Sequence, residues 1–119
     1  SQTQAFQADD VLVSNIRPYF RKIWLADRDG GCSNDVLVLR AKETCIPGFL
    51  YYLLSGNNFF DYAMATSKGT KMPRGDKGAI MQYSVPEIPL NTQFEIADTL
   101  SALDARIAVN RKTNHHLAA

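Results

Sequence analysis

From Thr92 to Ala119 the chain has no proline and no glycine, and helix-forming residues dominate. Within it Ile96, Leu100, Leu103, Ile107, Asn110, Asn114 and Leu117 follow one another at spacings of four, three, four, three, four and three. That alternation is an a/d heptad seam over about three heptads, and it specifies one long helix with an apolar stripe. Thr92 with Glu95 fits a capping box and sets the expected start. A helix of about 26 residues rises about 39 Å. A chain of 119 residues builds one domain with a modest core, narrower than that. Part of the seam is therefore expected to project and to need a partner helix. Asparagines on the seam, Asn110 and Asn114, suit a register device. The alternative is a helix folded back on its own domain.

The preceding segment reads as mixed strand and helix, which divides the chain into residues 1–90 and 91–119. The first eight residues read as a loose arm or as the trailing end of something longer. DVLVSNI, Asp10 to Ile16, is rich in β-branched residues and reads as a strand. Arg17-Pro18 interrupts it, and Tyr19 to Ala26 reads as the partner strand. Asp27 to Gly31, DRDGG, is a turn. Val36 to Ala41 is a further strand, with Val36, Val38 and Arg40 on one face and Leu37 and Leu39 on the other. A helix follows Pro47 and ends at Gly56, and a second short helix covers Asn58 to Ala65. After a loop, Ala79 to Val85 reads as strand. The expected fold is α+β: a small, mostly antiparallel β core with short helices, followed by one long C-terminal coiled-coil helix.

Several function classes find no support in the residues. No GxSxG, HExxH, Walker-type loop or dinucleotide fingerprint occurs. Asp9 and Asp10 suit a turn ahead of a strand better than an acid/base dyad. His115 and His116 are adjacent, so they point to different faces of a helix and do not chelate together. Cys32 and Cys45 form no CxxC motif and read as part-buried thiols of a reducing compartment. The expectation is no enzyme, no cofactor and no metal. No apolar run approaches the roughly 20 residues of a membrane span, and the polar start SQTQAFQADD does not read as a signal peptide. Cytoplasm is the default location.

Charge offers more. The net charge is only +1, so position matters rather than total. Arg17, Arg21 and Lys22 lie around the first strand–turn, with Tyr19, Phe20 and Trp24 interleaved. Lys68, Lys71, Arg74 and Lys77 lie on SKGTKMPRGDKG, Ser67 to Gly78, a glycine-rich loop. Phosphate contacts need cations and backbone amides on a surface that approaches a duplex closely, and glycine permits that approach. A solvated charged loop is the competing reading, and on residues alone the two weigh equally.

Three stretches resemble one family. DDVLVSNIRPYFRKIWLADRDGGCSNDVLVLRAK is similar to the pattern GD-h-L-h-S-x-h-R-P…G-x-x-S-x-D-h-x-V-L, with h an apolar residue. FLYYLLSGNNFFDY followed by SKGTKMPRGD resembles its helix pair and G-T-x-M-P-R loop. VPEIPLNTQFEIADTLSALDARIAVNRKTNHHL resembles h-P-x-P-L-x-x-Q-x-x-I-A-x-x-L-x-x-L-D-x-x-I-x-x-N. Together, from Asp9 to Leu117, these resemble the specificity subunit of type I restriction–modification enzymes. Asp9 stands where the family pattern has glycine.

The resemblance implies a partial target recognition domain plus one spacer helix. It carries Arg17, Thr70 and Arg74 to the recognition domain and Gln93, Ile96, Leu100, Leu103, Ile107, Asn110 and Asn114 to the spacer. It implies double-stranded DNA and methyltransferase subunits as partners, and homodimerisation through the C-terminal helix. The expected DNA-facing residues are Arg17, Arg21, Lys22, Lys68, Thr70, Lys71, Arg74 and Lys77. The alternative is a truncated interaction module that dimerises or holds methyltransferase subunits without reading DNA.

Overall fold

The computed structural model describes residues 3–67 and 73–118, with side chains described as far as residue 110. Among the described residues five strands come first: β1 (Thr3–Phe6), β2 (Val11–Ser14), β3 (Ile23–Leu25), β4 (Gly30–Ser33) and β5 (Val36–Leu39). A 3-10 turn, Pro18–Phe20, stands between β2 and β3. The described helices follow: α1 (Pro47–Leu54), α2 (Asn57–Ala65), α3 (Lys77–Ile80) and α4 (Leu90–Ala118). The fold is α+β, as the residue pattern implies.

β2 is the centre of a three-stranded antiparallel sheet of order β3-β2-β5. Val11, Leu12 and Val13 are all buried, because this sheet is covered on both faces. On one face Val11, Val13 and Leu37 join Leu50 and Leu54 of α1, Phe59, Phe60 and Ala63 of α2, and Ile80 of α3. On the other, Leu12 packs with Phe6 and Ala26, and Val36 and Val38 lie against them. The alternation expected for β5 thus sends its leucines to the large cluster and its valines to the small one. Fully burying each such apolar side chain stabilises by about 1.5–3 kcal/mol.

The buried carboxylate of Asp10 sits at the start of β2. It accepts from Arg40 Nε at 2.9 Å, from Arg40 Nη2 at 2.8 Å and from the Gln7 amide at 2.9 Å. The Arg40 hydrogen bonds hold its pKa below the ordinary carboxylate value, against the opposing effect of burial. Asp9 beside it has φ 74°, the left-handed region in which glycine is at ease. The Asp10 amide donates to the Gln7 carbonyl at 3.1 Å and closes a turn over Ala8 and Asp9, so the acidic pair does stand at a turn ahead of a strand.

Four local expectations are corrected. The first residues are not a loose arm: β1 pairs antiparallel with β4, and Gly30, expected in a turn, is a strand residue. The Phe6 ring lies over Gly30 so closely that a Cβ there would meet it at 2.7 Å. Tyr19 and Phe20 belong to the 3-10 turn, not to a strand. Ala79 to Val85 is not a strand. Asp76 Oδ1 caps α3 by accepting from the Ala79 amide, Ile80 enters the core, and Tyr83 stacks edge-on against Phe59. Finally, α4 begins at Leu90, with the Gln93 amide donating to the Pro89 carbonyl, so Thr92 is already inside the helix and is no capping residue.

Candidate nucleic-acid interface

Two basic segments distant in sequence meet at the exit of β2. The Arg17 amide donates to the Pro73 carbonyl at 2.7 Å, and Ile16 forms an isolated bridge with Arg74. Asn15 grips the next residue twice: its side-chain amide donates to the Gly75 carbonyl, sixty residues away, at 3.0 Å, and its own carbonyl accepts from the Gly75 amide. Gly75 is buried, and a Cβ there would lie 2.7 Å from Ile80 Cδ1 and 2.8 Å from Asn15 Oδ1. Only glycine fits so close an approach. On the far side, the Asp76 amide donates to Thr66 Oγ1, which itself donates to the Ala63 carbonyl. Residues 73–76, the described neck of the glycine-rich loop, are therefore tied to β2 on one side and to the end of α2 on the other.

The 3-10 turn is the second half of this edge. Its proline is buried, while Arg17 and Arg21 on either side both adopt the left-handed conformation, φ 51° and 54°. That region disfavours residues with a Cβ, so the surroundings must hold them there. Two backbone hydrogen bonds, Phe20 to Arg17 and Arg21 to Pro18, close the turn. Arg17, Arg21 and Lys22 are all exposed. The Arg21 guanidinium carbon lies 6.0 Å from the Phe60 ring centre, and Lys22 Nζ 5.9 Å from that of Phe20.

Of the loop cations, Arg74 is not a free charge: its Nη1 lies 2.9 Å from Asp35 Oδ1, and both side chains are partly exposed. Lys77 is the exposed first residue of α3. Lys68, Thr70 and Lys71 lie outside the described residues. The structure thus brings Arg17 beside Pro73 and Arg74, with Arg21 and Lys22 on the same turn. Reading residues alone did not find Asn15 and Thr66 as the ties of the neck, or Asp35 as the partner of Arg74. No local signal identifies Asn15 or Thr66, since their partners are remote in sequence. Asp35 carried a signal: it occupies the acidic position of the first family pattern.

The long helix is anchored through one amide. Gln93 is buried, its Oε1 accepts from the Ile46 amide at 2.8 Å, and its Nε2 donates to the Thr44 and Ile88 carbonyls at 2.9 and 2.7 Å. α1 crosses α4 here, close enough that a Cβ on Gly48 would lie 3.4 Å from Ala97 Cβ. The last tie among the described residues is the Tyr52 hydroxyl, which donates to Asp104 at 2.7 Å. Burial, reinforced by Asp104, pushes the Tyr52 pKa up to about 12. Of the expected seam, Ile96 and Leu100 are half-buried, while Leu103 is 45% and Ile107 47% exposed. Every residue from Ser101 to Asn110 is exposed. Asn114 and Leu117 lie on the helix, but their side chains are outside the described residues, as are those of His115 and His116.

Among the described residues no group of three or more histidine, cysteine or acidic side chains is placed to hold a metal. No described helix is long and apolar enough to cross a membrane.

Known proteins give this geometry its context. The chain is 29% identical over 119 residues to the type I restriction enzyme EcoDI specificity subunit of Escherichia coli, covering 99% of this chain and 26% of that protein. Its fold matches the crystal structure of the HsdS subunit from Thermoanaerobacter tengcongensis with a TM-score of 0.73 and 26% identity, over 91% of this chain and 29% of that one. It also matches a chain from a structure of complex assembly and conformational transition in the type I R-M system, with a TM-score of 0.74 and 27% identity, over 92% and 29% of the two chains. The chain thus spans between a quarter and a third of the length of these relatives. Matched over residues 1–119, it belongs to the Type I restriction modification DNA specificity domain family.

Proposed function

We propose that this chain supplies DNA recognition and assembly to a type I restriction–modification system and carries no catalytic step itself. Residues 1–90 are the later part of a target recognition domain, and residues 91–119 are a spacer helix. Its partners are double-stranded DNA, methyltransferase subunits and, through α4, a second copy of itself, all in the cytoplasm. The observation that carries this reading is the junction of Arg17 with Pro73. It lays the 3-10 turn, with Arg17, Arg21 and Lys22, alongside Pro73 and Arg74, which supports an edge that these cations serve together with Lys68, Lys71 and Lys77. Family membership supports DNA as the polyanion this edge meets. In this reading Thr70 and Pro73 shape the loop rather than read bases, since proline fixes φ and threonine bonds the local backbone.

Fluorescence anisotropy of duplex DNA across a salt series tests it. Wild type binds weakly, with a steep salt dependence. Replacing Arg17, Arg21 and Lys22 by alanine lowers the slope of log affinity against log salt by about 0.9 for each phosphate no longer neutralised. Undetectable binding at about 50 mM salt, or an unchanged slope in the triple variant, overturns the DNA-facing edge. The interaction-module reading would then take its place. It is favoured by the Arg74–Asp35 pair, which already neutralises one of the cations, and it requires capture of methyltransferase subunits to survive the same substitutions.

A further inference from the structure

The 3-10 turn does something that folding alone does not ask of it. It buries its proline and turns its two aromatic rings outward: Tyr19 is 48% and Phe20 57% exposed, far more than the phenylalanines of the core. The rings lie against each other, with centres 4.8 Å apart. The turn that carries them is held by left-handed residues at both ends, Arg17 and Arg21, and by a backbone hydrogen bond to the loop neck. Strain of this kind persists where the surroundings over-determine it, and it gathers at binding and switching sites. The segment that carries the rings has charge of one sign, while Asp35, at the same exit of β2, is paired with Arg74. From Val11 to Ala26 the sequence contains no acidic residue, and Arg17, Arg21 and Lys22 are all exposed. A rigid apolar tip between cations matches a base step flanked by phosphates. A protein partner would leave those cations needing acids of its own.

We propose that Tyr19 and Phe20 form an aromatic wedge that presses against, and partly unstacks, a base step of duplex DNA while Arg17, Arg21 and Lys22 hold the phosphates on either side. This rests on the DNA-facing reading above and adds to it the residues that meet bases. Apolar wedges of this type open flexible pyrimidine–purine steps most cheaply, so the wedge favours particular sequences without hydrogen-bonding to them.

The test separates rings from charges. A duplex carrying 2-aminopurine beside TA steps is titrated with wild type, Tyr19→Ala plus Phe20→Ala, Phe20→Ala alone, and Phe20→Trp. Aromatic stacking on bases is worth about tenfold or more in affinity. The double variant should lose that factor at every salt concentration, with the salt slope unchanged, because no cation has been removed. Wild type and Phe20→Trp should raise 2-aminopurine fluorescence on binding, and the double variant should not. Both rings are exposed, so the thermal midpoint should hold, and Phe20→Ala alone gives an intermediate loss if the double change disturbs the turn. Wild-type binding with an unaltered double variant overturns the wedge and leaves the DNA-facing edge standing. Normal DNA binding with failed capture of methyltransferase subunits also overturns it, and makes the turn a protein-docking point. No DNA binding by wild type removes the edge and the wedge together.

Discussion

At Gln93 one side chain satisfies three backbone groups and is itself buried. About three turns further along the same helix, Leu103 and Ile107 lie half exposed on a surface that is open throughout. The two ends of this contrast are built from similar material, since α4 runs without a break from Leu90 to Ala118. What differs is the surroundings. The root is flanked by α1, by the Thr44–Ile46 segment and by Ile88, which supply unpaired backbone groups and a tight crossing at Gly48. Among the described residues the outer part shows no such flank after Tyr52 reaches Asp104. Within one helix the heptad stripe is thus attached to its own domain over the first turns and exposed at Leu103 and Ile107.

The sharpest way to break the root is Gln93→Ala. It leaves the Ile46 amide and the Thr44 and Ile88 carbonyls without their partner in a partly buried site. Each buried group left unsatisfied costs about 1–3 kcal/mol. Some of the three will recover water, so a total loss of about 2–4 kcal/mol is expected in denaturant unfolding. Hydrogen exchange should show the root of α4 losing protection first. A loss below about 0.5 kcal/mol, within the range of an ordinary surface change, would mean that Gln93 does not anchor the helix.

The extent to which this was legible follows the range of the interactions. Patterns that repeat within a few residues told the truth. The β-branched run of β2, the alternation of β5, the apolar helices α1 and α2, and the long helix all read correctly, because each buries a face set by its own period. Interactions that close over long distances did not show. β1 pairs with β4 across the whole of β2 and β3 in sequence, and nothing in Thr3–Phe6 announces that partner. Ala79 to Val85 misled because Ile80, Tyr83 and Val85 resemble a strand, whereas the Asp76 cap and the ring packing of Tyr83 on Phe59 and Tyr62 favour a turn of helix. At the candidate interface the cations were visible, but the acid that neutralises Arg74 was not recognised as its partner, since pairing depends on β5 lying next to β2.

A smaller effect sharpens the boundary between the two parts of α4. Tyr52 and Asp104 form the last described tie, and it can be removed by Tyr52→Phe at a cost of about 0.5–1.5 kcal/mol. Its pH dependence has a definite sign. The folded-state pKa is raised to about 12, above the ordinary tyrosine value of 10.0, by burial first and Asp104 second. The stabilisation is complete below pH 10 and declines as pH rises from 10 towards 12, because the unfolded chain gives up its proton first. Wild type should therefore lose its advantage over Tyr52→Phe across that window. A difference between the two proteins that stays constant up to pH 12 would show that the hydroxyl is not held as described.

The smallest expected effect on the folded domain is also the most informative about the outer helix. Leu103→Glu plus Ile107→Glu changes two half-exposed positions that lie one turn apart, beyond the buried root. Glutamate is a good helix former, and neither side chain is part of the core, so domain stability should move by no more than about 0.5 kcal/mol. Self-association should behave in the opposite way. An antiparallel two-fold pair brings the outer stripe of one helix against the other, where four added carboxylates would face a desolvated seam. Ile96 and Leu100 are already half covered by their own domain, which makes Leu103 and Ile107 the better positions to test. Sedimentation at micromolar concentration should find a dimer for wild type and a monomer for the variant, with equal hydrogen-exchange protection around Gln93 in both. A wild-type monomer would remove the second copy as partner of this stripe. A variant that loses the root's protection as well would show that the two parts of α4 are a single cooperative unit, and the contrast between them would have to be given up.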